Sequence, residues 1–198
     1  KILSGIYQPD SGHIECEGQQ KHITDYRDSQ AHGIATIYQD RALVDSVSIY
    51  RNIFMGNEIV SPLGFLGKRR MRDITRRLLQ ESISIGLSNP NQSVGELSGG
   101  QKQAVAIVRA IHFKARLLLL DEPTNALSVK ESQQVMAFVK GLRDEGISSI
   151  FVTHNLFHVY SIADRFVILN RGIKVGDDRK SEISIEKLEE IIVAGAEM

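Results

Sequence analysis

The sequence holds a single cysteine, Cys16, so no internal disulfide framework can form, and a reducing cytoplasm is the simple inference. It lacks a charge excess: lysine plus arginine number 24, and so do aspartate plus glutamate. That balance gives no pointer to nucleic acid or an acidic surface as partner. No apolar run approaches the ~18 residues that would cross a membrane, and no signal-peptide pattern is present. Any membrane contact is therefore expected to go through a partner. Internal repeats and low-complexity segments are missing too. What remains is an ordinary globular composition, 42% hydrophobic and 24% charged over 198 residues. That length suits one α/β domain, or a domain with a small subdomain.

The most informative stretch runs from Glu96 to Thr124, ELSGGQKQAVAIVRAIHFKARLLLLDEPT. Ser98-Gly99-Gly100 opens an apolar helical pattern carried by Ala104, Val105, Ile107, Val108 and Ile111. A hydroxyl and free backbone N–H groups at the positive end of a helix dipole can hold an anion. The same residues also suit a plain serine N-cap with flexible glycines. Leu117 to Leu120 reads as a buried strand that delivers Asp121 and Glu122 at its end. Two carboxylates at the carboxyl edge of a sheet stand where α/β proteins bind ligands, one able to hold Mg²⁺ and the other to polarise a water. A solvated acidic turn before Pro123 is the alternative.

Together these motifs resemble the nucleotide-binding subunits of ABC transporters. Leu97-Ser98-Gly99-Gly100-Gln101 resembles the family's signature, and Leu117 to Glu122 resembles Walker B with its catalytic glutamate. The resemblance extends in both directions. Gln39, after the apolar segment Ile34 to Tyr38, is similar to the Q-loop glutamine, whose amide can ligate Mg²⁺ and reach the attacking water. Leu43 to Val47 stands where the membrane subunit's coupling helix docks in the family. His154, behind the apolar segment Ser148 to Val152, which reads as a buried strand, resembles the switch histidine that donates to the γ-phosphate. Asn125-Ala126-Leu127-Ser128 takes the D-loop position, with Ser128 where most relatives have Asp. Asn52 to Glu58 is similar to what monosaccharide importers show there. No G-x-x-x-x-G-K-[ST] occurs in the sequence; KILSGIYQPDSG resembles the end of the helix that follows that loop. An N-terminally truncated chain that neither binds ATP usefully nor hydrolyses it is the expectation.

The implied fold is α/β, a P-loop NTPase-like ABC ATPase core with a helical subdomain insertion. The core is expected over residues 1–47 and 97–198, and the helical subdomain over 48–96. Within 48–96 an amphipathic helical pattern is broken at Ser61 to Gly64, and the basic run Lys68 to Arg72 reads as a solvated helix face. The resemblance implies ATP and Mg²⁺ as ligands, with Asp121 and Gln39 on the metal and Glu122 as general base. His154 and Gln39 are implied to orient γ-phosphate and water. Ser98, Gly99, Gly100 and Gln101 would serve the ATP of a second ATP-binding subunit. Transmembrane permease subunits are the implied partners, at the cytoplasmic face of a bacterial inner membrane. Two rivals stay open: a soluble ABC-type ATPase of DNA repair or chromosome structure, and a non-hydrolysing regulatory nucleotide-binding module.

Overall fold

The computed structural model describes residues 1–38, 42–82, 86–125 and 127–197. They fall into two compact units, Lys1–Val152 and Thr153–Met198.

The first unit opens on turns rather than a regular helix. Gly5 takes φ +71°, and a Cβ there would lie 2.2 Å from the Asp25 carbonyl oxygen, so only glycine lets the two segments approach. A short antiparallel hairpin follows, β1 (Ile14–Cys16) and β2 (Gln19–Lys21). Its two-residue turn has positive φ at both Glu17 and Gly18, the hairpin geometry that matches strand twist. Helix α1 (Tyr26–Ala31) is capped by the Asp25 carboxylate, which accepts from Asp28 N. Beyond Gly33 come β3 (Ile34–Ile37), α2 (Ile49–Phe54), α3 (Lys68–Ser82) and a 3₁₀ turn at Val94–Glu96. The unit closes with α4 (Gly99–His112), β4 (Leu117–Asp121), α5 (Val129–Asp144) and β5 (Ser148–Val152).

Strands β3, β4 and β5 form one parallel sheet with β4 in the centre. Its register puts Ala35, Ile37, Leu118, Leu120 and Phe151 on one face, because paired residues of a pleated sheet point the same way. On that face Leu118 and Leu120 pack against Ala106 and Ile107 of α4 and Val135, Val139 and Leu142 of α5. The α4 helix is buried on a second side as well. Val105 and Val108 join a separate core with Ile49, Ile53 and Phe54 of α2 and Met71 and Leu79 of α3. Every residue from Gln103 to Val108 is buried, so α4 is wedged between a sheet-backed core and a helical one.

The other sheet face departs from the sequence expectation. Ser148 to Val152 reads as a buried strand, yet Ile150 is 42% and Val152 58% exposed. Alternation is responsible: β5 buries one face under the helices and turns these two β-branched residues away from them. Within 48–96 the break at Ser61 to Gly64 is a small hairpin, with Val60 and Leu66 bridged.

The second unit contains α6 (Leu156–Tyr160), a hairpin of β6 (Arg165–Asn170) and β7 (Ile173–Arg179), and α7 (Ile185–Glu197). Arg171 and Gly172 both take positive φ in its turn. The β7 strand runs as far as Arg179, held by register pairs up to Arg165 with Arg179. Tyr160 stacks on Phe166 with ring centroids 5.5 Å apart and donates its hydroxyl to Ile183 O, closing this small core.

Candidate functional site

Strand β4 carries Asp121 and Glu122 out of the core. Asp121 is the last strand residue, opposite Val152, and both carboxylates are half-buried. Glu122 has left the strand in a left-handed conformation, φ +48°. A residue of this kind is held there at a cost of order 1–3 kcal/mol, which the surroundings must offset. They do so by pinning both sides of it: Glu122 N donates to Val152 O at 2.8 Å, and Asn125 N donates to Glu122 O at 3.1 Å.

The Ser98-Gly99-Gly100 segment begins α4 as the anion-site reading requires, and as the plain-cap reading requires too. Ser98 is the N-cap. Its hydroxyl accepts from Gln101 N at 3.4 Å, while the Gln101 carboxamide oxygen accepts from Ser98 N at 3.1 Å. Gln101 is therefore half of a capping box.

A residue that sequence reasoning passed over completes this corner. Glu131, in the first turn of α5, closes a second capping box with Ser128, accepting from Ser128 N at 3.0 Å and Ser128 Oγ at 2.8 Å. Its other oxygen accepts from Gly100 N at 3.2 Å, 31 positions away in sequence. The Ser98 hydroxyl bonds to it as well, and these donors hold the carboxyl down to about 2. A Cβ on Gly100 would come within 3.0 Å of the Glu131 Cβ, so the second glycine is needed for the helices to meet. The Ser128-x-x-Glu131 spacing was a readable cap signal; its reach to Gly100 was not. Ser128, where a family Asp is usual, is an N-cap, a role serine and aspartate fill about equally well.

The approach to α4 is tied to the loop after β3. Asp45 O accepts from Ser93 Oγ at 2.7 Å and from Gly95 N at 2.9 Å. The Asp45 carboxylate pairs with Lys102 Nζ at 2.8 Å. Asn52, fully buried, holds the same loop from inside. Its amide oxygen accepts from Val44 N at 2.8 Å, and its NH₂ donates to Val44 O, Val47 O and Ser48 O. Leu43 to Val47 is thus a segment of fixed shape anchored to the start of the signature helix.

Two site residues stand apart. Gln39, and Ala126 of the D-loop position, lie outside the described residues. His154 is exposed and belongs to the second unit, just before Asn155, which caps α6 through His158 N. Among the described residues no group of three or more His, Cys, Asp or Glu comes together to hold a metal. A lone strand-end pair of carboxylates suits Mg²⁺, which keeps several waters and shares its coordination with phosphate oxygens.

A parallel sheet carrying Asp-Glu at a strand end, in a chain that also opens a helix on Ser-Gly-Gly, defines an α/β protein with the elements that handle nucleotide phosphates. The chain belongs to the ABC transporter family, whose profile matches residues 1–125. It is 39% identical over 196 residues to the xylose/arabinose import ATP-binding protein XylG of Sulfolobus acidocaldarius, covering 99% of this chain and 77% of that one. The fructose import ATP-binding protein FrcA of Rhizobium meliloti is 38% identical over 179 residues, 87% of this chain and 68% of the relative. The ribose import ATP-binding protein RbsA of Hahella chejuensis is 33% identical over 98% of this chain, which spans only 38% of that protein. The fold matches the ATP-binding cassette MJ1267 with a TM-score of 0.80 at 22% identity, over 96% of this chain and 80% of that one. It also matches a dimeric post-hydrolysis cassette, MJ0796 with ADP and Pi, with a TM-score of 0.68 at 22% identity over 90% of this chain and 78% of that one. Among the described residues no helix is long and apolar enough to cross a membrane.

Proposed function

We propose that this chain belongs to the ATP-hydrolysing subunit of an importer for a monosaccharide, which in its intact form works as a pair of ATP-binding subunits on a transmembrane permease. The observation that carries this is Glu122, a carboxylate held at φ +48° directly after a buried strand that ends in Asp121. The names of the relatives, importers of xylose or arabinose, fructose and ribose, supply the class of solute.

In this reading Asp121 holds Mg²⁺, which when bound neutralises phosphate charge. Glu122 accepts a proton from the attacking water, while Gln39 and His154 orient water and γ-phosphate. Hydrolysis of this kind demands positioning and charge neutralisation more than covalent chemistry. Ser98, Gly99, Gly100 and Gln101 serve the ATP of the opposite subunit. The donors Ser98 Oγ and Gly100 N are already satisfied by Glu131, so an incoming phosphate meets an intramolecular anion that it must displace or share with. Residues 48–96 act as the helical subdomain, and 1–47 with 97–198 as the ATPase core. Leu43 to Val47 receives the permease's coupling helix on the cytoplasmic face. Its bonds to Ser93, Gly95 and Lys102 give docking a direct line to the signature.

The test is Glu122→Gln in the assembled importer. The amide keeps the shape but cannot take the proton, so ATP is still bound while turnover falls by roughly 10²-fold or more. ATPase activity near that of the unaltered transporter removes Glu122 from the role.

A further inference from the structure

The basic run read from sequence as a solvated face has a neighbour that sequence did not disclose. Helix α3 carries six basic residues against two acidic ones. Arg72 is turned inward over the Tyr50 ring at 5.1 Å, but Lys68, Arg69, Arg70, Arg76 and Arg77 are exposed. The only acid described among them, Asp73, is engaged by Arg76 at 2.9 Å. Directly before this helix stands the small hairpin, closed by Ser61 N to Phe65 O at 2.8 Å and Gly67 N to Ile59 O at 2.7 Å. Its tip is apolar and exposed: Leu63 83%, Phe65 72% and Val60 57%. Leu66 also lines an open hollow of about 560 Å³ whose other walls are Gly67, Lys68, Arg69, Arg70, Arg77 and the Asp73 already paired with Arg76.

We propose that the hairpin tip and the basic face of α3 form one interfacial site for an anionic lipid surface, the hollow receiving a lipid phosphate. The two halves demand the same partner. Leu63 and Phe65 project from a hydrogen-bonded turn rather than lining a groove, the shape that enters a headgroup layer. The cations stand beside them, where they meet lipid phosphates once the tip is immersed. An acidic protein or a nucleic acid would use the cations yet leave two large apolar side chains in water. Membrane contact then has a direct component in this chain, in addition to any made through a partner.

The experiment is co-sedimentation of the chain with vesicles of phosphatidylcholine alone and of phosphatidylcholine with phosphatidylglycerol. Binding is expected only to the anionic vesicles, and added salt is expected to release it. Arg69→Gln/Arg70→Gln/Arg77→Gln lowers the partition coefficient on the order of 100-fold, since each cation near such a surface contributes about a factor of 5. Leu63→Ser/Phe65→Ser lowers it at least tenfold, as apolar entry and charge are both needed for stable attachment. Lys130→Gln/Lys140→Gln, on the exposed side of α5, leaves it unchanged. All the substituted side chains are exposed, and salt release of the unaltered chain gives a readout independent of any variant. The proposal is overturned by absent binding to anionic vesicles, by equal binding to both compositions, or by loss in the α5 control. It is equally overturned if the Leu63/Phe65 variant binds as the unaltered chain does, which makes the face a basic patch for an anionic macromolecule.

Discussion

Glu131→Ala breaks a junction between two helices rather than a single cap. The carboxylate accepts from Ser128 N and Oγ in its own helix and from Gly100 N and the Ser98 hydroxyl in the other. Loss of the α5 cap alone costs about 1 kcal/mol. A hydrogen bond to a charged group contributes roughly 1.5–3 kcal/mol when shielded from water. Glu131 is half-exposed, so water can replace part of what α4 loses, and roughly 1 kcal/mol is a fair share for the contacts across the helices. The total of about 2 kcal/mol corresponds to a fall in Tm of roughly 4–8 °C for a chain of this size. Urea unfolding of Glu131→Ala, Ser98→Ala and the double variant measures the inter-helix part by itself. A coupling of at least ~0.5 kcal/mol is expected, because the two residues touch. The sign of the pH dependence follows from the lowered carboxyl. With an ordinary value of 4.5 and about 2 in the folded protein, its contribution is present above 4.5 and disappears as pH falls through about 2. The stability gap between the unaltered chain and Glu131→Gln should therefore narrow over that window. Additive single effects, together with a gap that does not move with pH, would refute the junction.

Glu122→Gly should raise stability by about 1 kcal/mol in chemical denaturation, because glycine adopts the left-handed conformation without strain, while the carboxylate needed for hydrolysis is lost. A destabilised Glu122→Gly would show that the carboxylate contributes more to folding than its backbone strain subtracts. Asn52→Leu strands Val44 N and three carbonyls in a buried setting, so unfolding should become easier by roughly 3 kcal/mol. Amide exchange at Val44 should accelerate first. His112 sits edge-on to Phe54 and Phe113, and burial lowers its pKa below the usual 6.5. Stability it supports is fully present above 6.5 and is lost as pH falls through the lowered value, so melting curves of His112→Phe should be flatter across that range.

What the sequence determined by itself was whatever depends on neighbours within about four positions. Four consecutive leucines before Asp121 specify a buried strand, Ser98 three residues before Gln101 specifies a helix start, and Arg171-Gly172 specifies a hairpin turn. The motif order from Gln39 through Ser98, Asp121 and Glu122 to His154 was enough to place the chain in its family. Tertiary structure alone decided the rest. Glu131 meets Gly100 only because α4 and α5 pack on the same face of the sheet, and no local pattern encodes that pairing. Asn52 looks like any surface amide in a helix until the loop from Val44 to Ser48 folds over it and supplies its partners. Alternating exposure along β5 was hidden because an apolar strand reads alike whether one face is covered or both. The apolar tip beside the α3 cations was hidden for a different reason. A hydrophobic residue in a polar stretch is usually turned inward by packing, and only the hydrogen-bonded turn from Ser61 to Phe65 shows that Leu63 is turned out.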